Sequence, residues 1–268
     1  MLKDITLGQY FPGNSIAHKL DPRTKILLVT LYIIALFSAK GWMGYAVMAV
    51  TLAACVKVSH VGLRALVRGL KPLVFIIAFT GILNMFFTPD THYLWEWGIL
   101  RVSVKGIENA LFMVIRIMLL VMGTFLMTYT TSPIRLTDGL ESLLNPLKKI
   151  HVPVHELAMM MAIALRFIPT LIEETDKIMS AQKARGADFD SGNIFQKAKA
   201  LVPILVPLFI SAFRRADELA TAMECRCYHG GEGRTKLHVL KYQRRDYIAL
   251  AGGAVILALV VVLRRLGT

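Results

Sequence analysis

The chain is short of charge, short of cysteine and empty of the common catalytic signatures. Only 18% of its 268 residues are charged, against 55% that are hydrophobic. That is too apolar for an ordinary soluble domain, in which about a quarter of residues carry charge. Acids are the scarcer sign, 18 against 31 Lys and Arg, which leaves a formal net charge of +13. In a soluble protein such an excess would point to nucleic acid. Here the positives sit mainly between apolar runs, which fits anionic lipid and membrane topology instead, and no nucleic-acid partner is expected. Three cysteines, with Cys55 inside an apolar run, cannot make a disulfide framework. No GxxxxGK[ST] is present, and the nearest stretch, GGEGRTK, has the wrong spacing, so nucleotide hydrolysis through a P-loop is excluded. His155-Glu156 begins like a zinc-protease helix, but position 159 is Met and the second ligand is missing. There is no GxSxG. Cys225, Cys227, His229 and His238 are the one candidate metal set; CxC is an unusual spacing and Arg226 between the thiols opposes a cation. The cysteines read better as small, Ala-like neighbours of that arginine, and no metal is expected.

What the chain does have is apolar runs, thirteen Met and ten Pro, a composition that suits helices in lipid. Residues 1–25 form an irregular cap with turn signals at Pro12-Gly13-Asn14 and Asp21-Pro22. Because the first apolar run follows this polar segment, it is expected to act as an uncleaved anchor. Lys19, Arg23 and Lys25 press against its start and argue that the N-terminus is cytoplasmic. Ile26–Ala39 and Trp42–Val56 are uncharged but short of the ~20 residues a span wants. Snorkelling by Lys25, Lys40 and Lys57 can lengthen both. His60–Lys71 places Arg64, Arg68 and Lys71 in one stripe, either an amphipathic helix on the inner leaflet or a plain basic loop. Pro72–Pro89 and Asn109–Thr131 are the third and fourth spans, carrying Asn84 and Arg116 respectively. Between them, Tyr93, Trp95, Trp97 and Ile99 alternate like a strand in an outer interfacial loop. Tyr247–Leu263 is a clean last span, which leaves Arg264 and Arg265 outside against the positive-inside tendency.

The character changes after Thr131. Charges recur every few residues to Arg245, yet two apolar islands persist, Leu157–Ile172 and Leu201–Phe213. Arg166 and Pro169 interrupt the first, Pro203 and Pro207 the second, and both are too short to span. The pattern predicts a short helix near Pro133–Lys149 and long amphipathic rods over Val154–Arg185 and Ile194–Arg226, kinked at those prolines. The competing reading is a pair of ordinary kinked spans. The expected fold is therefore an all-α integral membrane protein with about five transmembrane helices and a set of long amphipathic helices. Its parts are residues 1–131 (cap and four spans), 132–245 (membrane-face helices) and 246–268 (last span).

Each rod ends in an arginine between small residues, Ala184-Arg185-Gly186 and Cys225-Arg226-Cys227. One such triplet is explained by a helix C-terminus, where unpaired carbonyls and the dipole favour a cation. Two of them on successive helices suggest plugs for two sockets, each lined by a carboxylate that a guanidinium fork can grip.

Three stretches carry a resemblance: YFPGNSIAHKLDPRTK near the N-terminus, ARG at 184–186 and ECRCY at 224–228. Across essentially the whole chain the layout resembles the transmembrane T component of energy-coupling factor transporters. Those are bacterial vitamin and metal-ion importers related to ATP-binding-cassette systems. The departure is Cys in place of Ala and Gly around Arg226. The resemblance implies a multi-pass subunit of the cell membrane, non-catalytic and without a cofactor of its own, its coupling helices cytoplasmic. Two ATPase partners would hold ATP and Mg, with Arg185 seated in a groove of one and Arg226 in a groove of the other. It also implies that Met159, Met160, Ile163, Leu201, Leu205 and Leu208 cradle a separate substrate-binding membrane subunit. Two readings from other classes compete: a membrane enzyme using Asp188, Asp190 and Arg185 on a phosphorylated lipid, and a stand-alone carrier built on Arg116 and Asn84. Co-purification separates them, because only the scaffold reading demands two bound ATPase chains.

Overall fold

The computed structural model describes residues 10–88, 93–97, 100–187, 189, 193–230 and 239–266. Ten helices and one hairpin make up these residues: α1 (Ile16–Lys19), α2 (Pro22–Ser38), α3 (Gly41–Ser59), α4 (Leu63–Leu70) and α5 (Val74–Phe87), then β1 (Tyr93–Trp97) and β2 (Leu100–Ser103), then α6 (Val104–Thr130), α7 (Pro133–Leu144), α8 (Val154–Ala184), α9 (Ile194–Cys225) and α10 (Arg244–Arg265). The chain is an all-α membrane protein apart from the short hairpin, whose antiparallel register pairs Glu96 with Arg101 and Trp97 with Leu100. Two compact units divide the helices: 10–140 with 240–266, and 141–230.

Local sequence sets the boundaries in the first unit. Asp21 caps α2 by accepting the Arg23 N–H at 2.9 Å, with Pro22 at the first helical position where its missing donor is not needed. The Lys40-Gly41 turn follows, with Gly41 at φ +66°, and α3 stops at His60 in the left-handed region. Over residues 60–71 the helical alternative is the observed one. α4 turns Leu66 and Leu70 inward and leaves Arg64 and Arg68 exposed, as an amphipathic segment requires.

The core of this unit gathers on α6, which packs against α2, α3, α4 and α5; Leu36, Met48, Leu66, Leu119 and Val260 are fully buried there or nearly so. Gly123 makes the closest approach possible: a Cβ there would lie 2.5 Å from the Tyr32 ring, whose hydroxyl donates to the Leu119 carbonyl at 3.0 Å. Arg116 is half-buried and finds partners on α2 and α3. Its Nε donates to the Tyr45 hydroxyl at 2.9 Å, and its guanidinium lies 5.8 Å from the centres of the Phe37 and Tyr45 rings. Asn84 spends its amide on its own helix, donating to the Thr80 carbonyl at 2.9 Å.

A band of polar contacts closes one end of the bundle. Lys25 does not snorkel: it is 6% exposed, and its ammonium donates to the Thr130 carbonyl at 2.8 Å and the Thr131 hydroxyl at 3.0 Å. Buried Asp246 accepts the backbone N–H of Asp21 at 2.9 Å and that of Gln243 at 2.8 Å. Arg23 pairs with Asp21 at 3.1 Å and lies 4.2 Å over the Tyr242 ring. The starts of α2 and α10 and the end of α6 therefore share one end, with α6 antiparallel to the other two.

In the second unit, α8 and α9 are single helices of 31 and 32 residues, roughly 46 and 48 Å long. Both run on through their prolines. Among the described residues five helical stretches can cross a membrane by length and composition: α3, the continuous Leu63–Phe87 stretch, α6, α8 and α10. This set differs from the expected one at two places. α2 has 17 helical residues, about 26 Å, which is less than the hydrocarbon thickness. α8, expected to be an amphipathic rod, has a window apolar enough to qualify.

Candidate functional site

The ends of α8 and α9 are built alike. Arg185 is the C-cap residue of α8, and Gly186 follows at φ +87°. The Gly186 N–H then reaches the Lys183 carbonyl and the Ala187 N–H the Gln182 carbonyl, both at 3.0 Å. These two bonds are a Schellman cap, which satisfies carbonyls that a helix end leaves open. At the other tip Cys227 follows Arg226 at φ +54°. The Cys227 N–H bonds the Glu224 carbonyl at 2.8 Å and the Tyr228 N–H bonds the Met223 carbonyl at 3.1 Å. The pattern is the same, residue for residue. Sequence reading took Cys227 as a departure from an Ala-Arg-Gly triplet; the backbone puts it in glycine's place, in a conformation that disfavours any side chain.

Both arginines are exposed. Among the described residues neither guanidinium makes an ion pair or a hydrogen bond. Local capping is thus done by the backbone, and the two cations are left over. Sequence reading foresaw the helix ends and the small neighbours but not this shared cap, whose signal was faint because Cys is an unusual left-handed residue.

One contact that sequence reading missed ties the two tips together. Arg215 of α9 donates to the Glu174 carboxylate of α8 at 2.7 Å. Glu174 stands eleven residues before Arg185 and Arg215 eleven before Arg226, so each cation projects about 16 Å of helix beyond the contact. The equal offset was present in the sequence, but nothing in it showed that these two charges meet.

The six apolar positions expected to receive another membrane subunit lie on these helices. Met159, Ile163 and Leu208 are half-buried, while Met160, Leu201 and Leu205 are exposed. Around them Phe209 and Phe213 are also exposed, their ring centres 5.1 Å apart, and of the island on α9 only Ile204 is buried. Pro169, Pro203 and Pro207 all face outward. A helix this apolar on its open sides requires lipid or another protein against it.

The rival sites gain less. Asp188, Asp190 and His238 lie outside the described residues. Cys225, Cys227 and His229 are exposed, and among the described residues no three His, Cys, Asp or Glu side chains converge as metal ligands would.

Apolar helices long enough to cross a membrane make this a multi-pass membrane protein, and two of its longest helices end in exposed, unpaired arginines. Over residues 13–237 the chain matches the family described as cobalt transport protein (CbiQ). It is 56% identical over 265 residues to the energy-coupling factor transporter transmembrane protein EcfT of Acidaminococcus fermentans, covering 98% of this chain and 97% of the relative. The proteins of the same name from Ruminiclostridium cellulolyticum (54% over 248 residues, 92% of each chain) and Bacillus subtilis (46% over 264 residues, 98% and 100%) are similar along nearly their whole lengths. The chain belongs to this family of transporter transmembrane components.

Proposed function

We propose that this chain is the non-catalytic coupling subunit of an energy-coupling factor importer for a vitamin or a metal ion. It passes the ATP-driven motion of two ATP-binding-cassette ATPases, which hold the ATP and Mg, to one separate substrate-binding membrane subunit. The single observation that carries the reading is the pair of like-capped, unpaired arginines, Arg185 and Arg226, at equal reach beyond one ion pair. Each seats in a carboxylate-lined groove of one ATPase. Ala184, Gly186, Cys225 and Cys227 are small enough to let the groove close around its cation. The apolar faces around Met160 and Leu205 carry the substrate-binding subunit.

Chain connectivity supports a cytoplasmic position for the helices of 132–245. Thr130 and Asp246 belong to the same end of the bundle through Lys25 and Asp21. The intervening chain therefore crosses the bilayer an even number of times, and α8 cannot cross alone. α9 offers only fourteen uncharged residues between Lys199 and Arg214, interrupted by two prolines, against the ~20 that a span needs. Neither helix crosses, and both stay on the side of the N-terminal basic residues, which is the cytoplasm of a bacterial cell. Residues 1–131 and 246–268 then supply the spans: the start of α2 and the end of α6 share a side, so the short α2 crosses together with α3, the Leu63–Phe87 stretch and α6, and α10 is the fifth.

The test is the Arg185→Ala, Arg226→Ala double variant. Removing each guanidinium strands a carboxylate in its groove, so association with the ATPases drops by about a hundredfold or more and solute uptake by the reconstituted complex is lost. Unchanged ATPase co-purification and uptake would refute the reading.

A further inference from the structure

Within the first unit α2, α3, α6 and α10 leave between them a cleft of about 530 Å³, the size of a site for one small apolar ligand. Its walls are aliphatic apart from Tyr32, Thr51, Cys55 and Thr130, and no acid lines it. Two cations do, Lys25 and Arg245. Both stand at the first turns of α2 and α10, at the end that the polar band closes. Lys25 is held by Thr130 and Thr131 in the wall, whereas Arg245 is exposed and makes no ion pair among the described residues. The lining includes Gly252, an exposed position where an added Cβ would meet nothing within 4 Å.

We propose that this cleft is a binding site for one anionic phospholipid of the inner leaflet, with an acyl chain between α2 and α10 and the phosphate at Arg245. Charge complementarity and direction both favour this ligand. An aliphatic slot opening between helices of a membrane protein takes hydrocarbon, and its cationic end lies with the N-terminal basic residues, on the side where anionic headgroups concentrate. This site is separate from the arginine tips and does not depend on the proposed coupling role.

The experiment uses the full chain in phosphatidylcholine vesicles doped with a photoactivatable phospholipid carrying a diazirine near the acyl terminus, as phosphatidylglycerol or as phosphatidylcholine. Peptides from α2, α6 and α10 should label more strongly with phosphatidylglycerol, by about fivefold for one interfacial cation. Arg245→Glu should reduce labelling to the phosphatidylcholine level, and Gly252→Leu, which adds an aliphatic side chain to the lining where a Cβ meets no neighbour, should remove labelling by both lipids. Equal labelling by the two lipids in the parent chain overturns the proposal, as does labelling that survives Gly252→Leu. Should either variant misfold, competition on the parent chain decides: unlabelled phosphatidylglycerol must displace the probe better than phosphatidylcholine does. Labelling that vanishes when the chain is assembled with its partners means that a protein helix occupies the cleft, and also overturns the proposal.

Discussion

Cys227 holds a left-handed conformation at φ +54° that Gly186 holds at +87° on the matching helix end. A Cβ in that region costs roughly 1–2 kcal/mol, so Cys227→Gly should stabilise the end of α9 by about 1 kcal/mol. Gly186→Ala should destabilise the end of α8 by about as much. Gly186 has no neighbour within 4 Å of the new Cβ, so the effect there is purely one of backbone. Slower amide exchange at Tyr228 in the first variant, and faster exchange at Ala187 in the second, are the expected readings. Lys25 offers a different case, a buried cation whose two hydrogen bonds join the start of α2 to the end of α6. Lys25→Met should cost about 2 kcal/mol, the loss typical of hydrogen bonds from a charged group, seen as a lower unfolding temperature in detergent. Both cases expose the limit of residue-level reading. The sequence marked Lys25 as a snorkelling flank and Cys227 as a small neighbour, because its partner in one case and its torsion in the other come from chain far away or from the cap itself.

At the scale of elements, α9 is continuous through Pro203 and Pro207, each of which removes a backbone donor from the helix. Replacing both with Ala restores the ladder and straightens the rod. The expected outcome is a firmer helix that couples less well, measured as more ATP hydrolysed per solute imported; an unchanged ratio would end that idea. The Glu174–Arg215 contact is partly open to solvent, so its contribution to stability is modest, about 0.5 kcal/mol or less. It joins α8 to α9 directly. Glu174→Gln should therefore lower uptake while shifting the unfolding temperature little. Helix existence and limits were legible at this scale: α8 and α9 end within a residue of the expected positions, since their charges, prolines and chain-breaking ends are local signals. The contact between them was not legible, because helical periodicity shows a face and never its partner.

For the whole molecule, the crossing count is the decisive prediction. The two thiols at the α9 tip, Cys225 and Cys227, are exposed and should react with an impermeant maleimide only from the cytoplasmic side. A tag at the C-terminus should be reached only from outside. Labelling of Cys225 and Cys227 from outside would mean that α8 crosses, and the two-socket scheme would fall with it.

The amino-acid sequence by itself determined that this is a helical membrane protein. It also determined where each long helix begins and ends and that two arginines stand at matching helix ends; these follow from composition, hydrophobic runs and caps, all short-range properties. Only the tertiary structure decided that Lys25 and Asp246 bring three helix ends to one side, that Arg116 is absorbed by Tyr45, that Cys227 plays the part of a glycine and that a cationic slot opens beside α10. Those depend on which distant surfaces meet, and a free energy of contact is a property of pairs that no single stretch of chain contains.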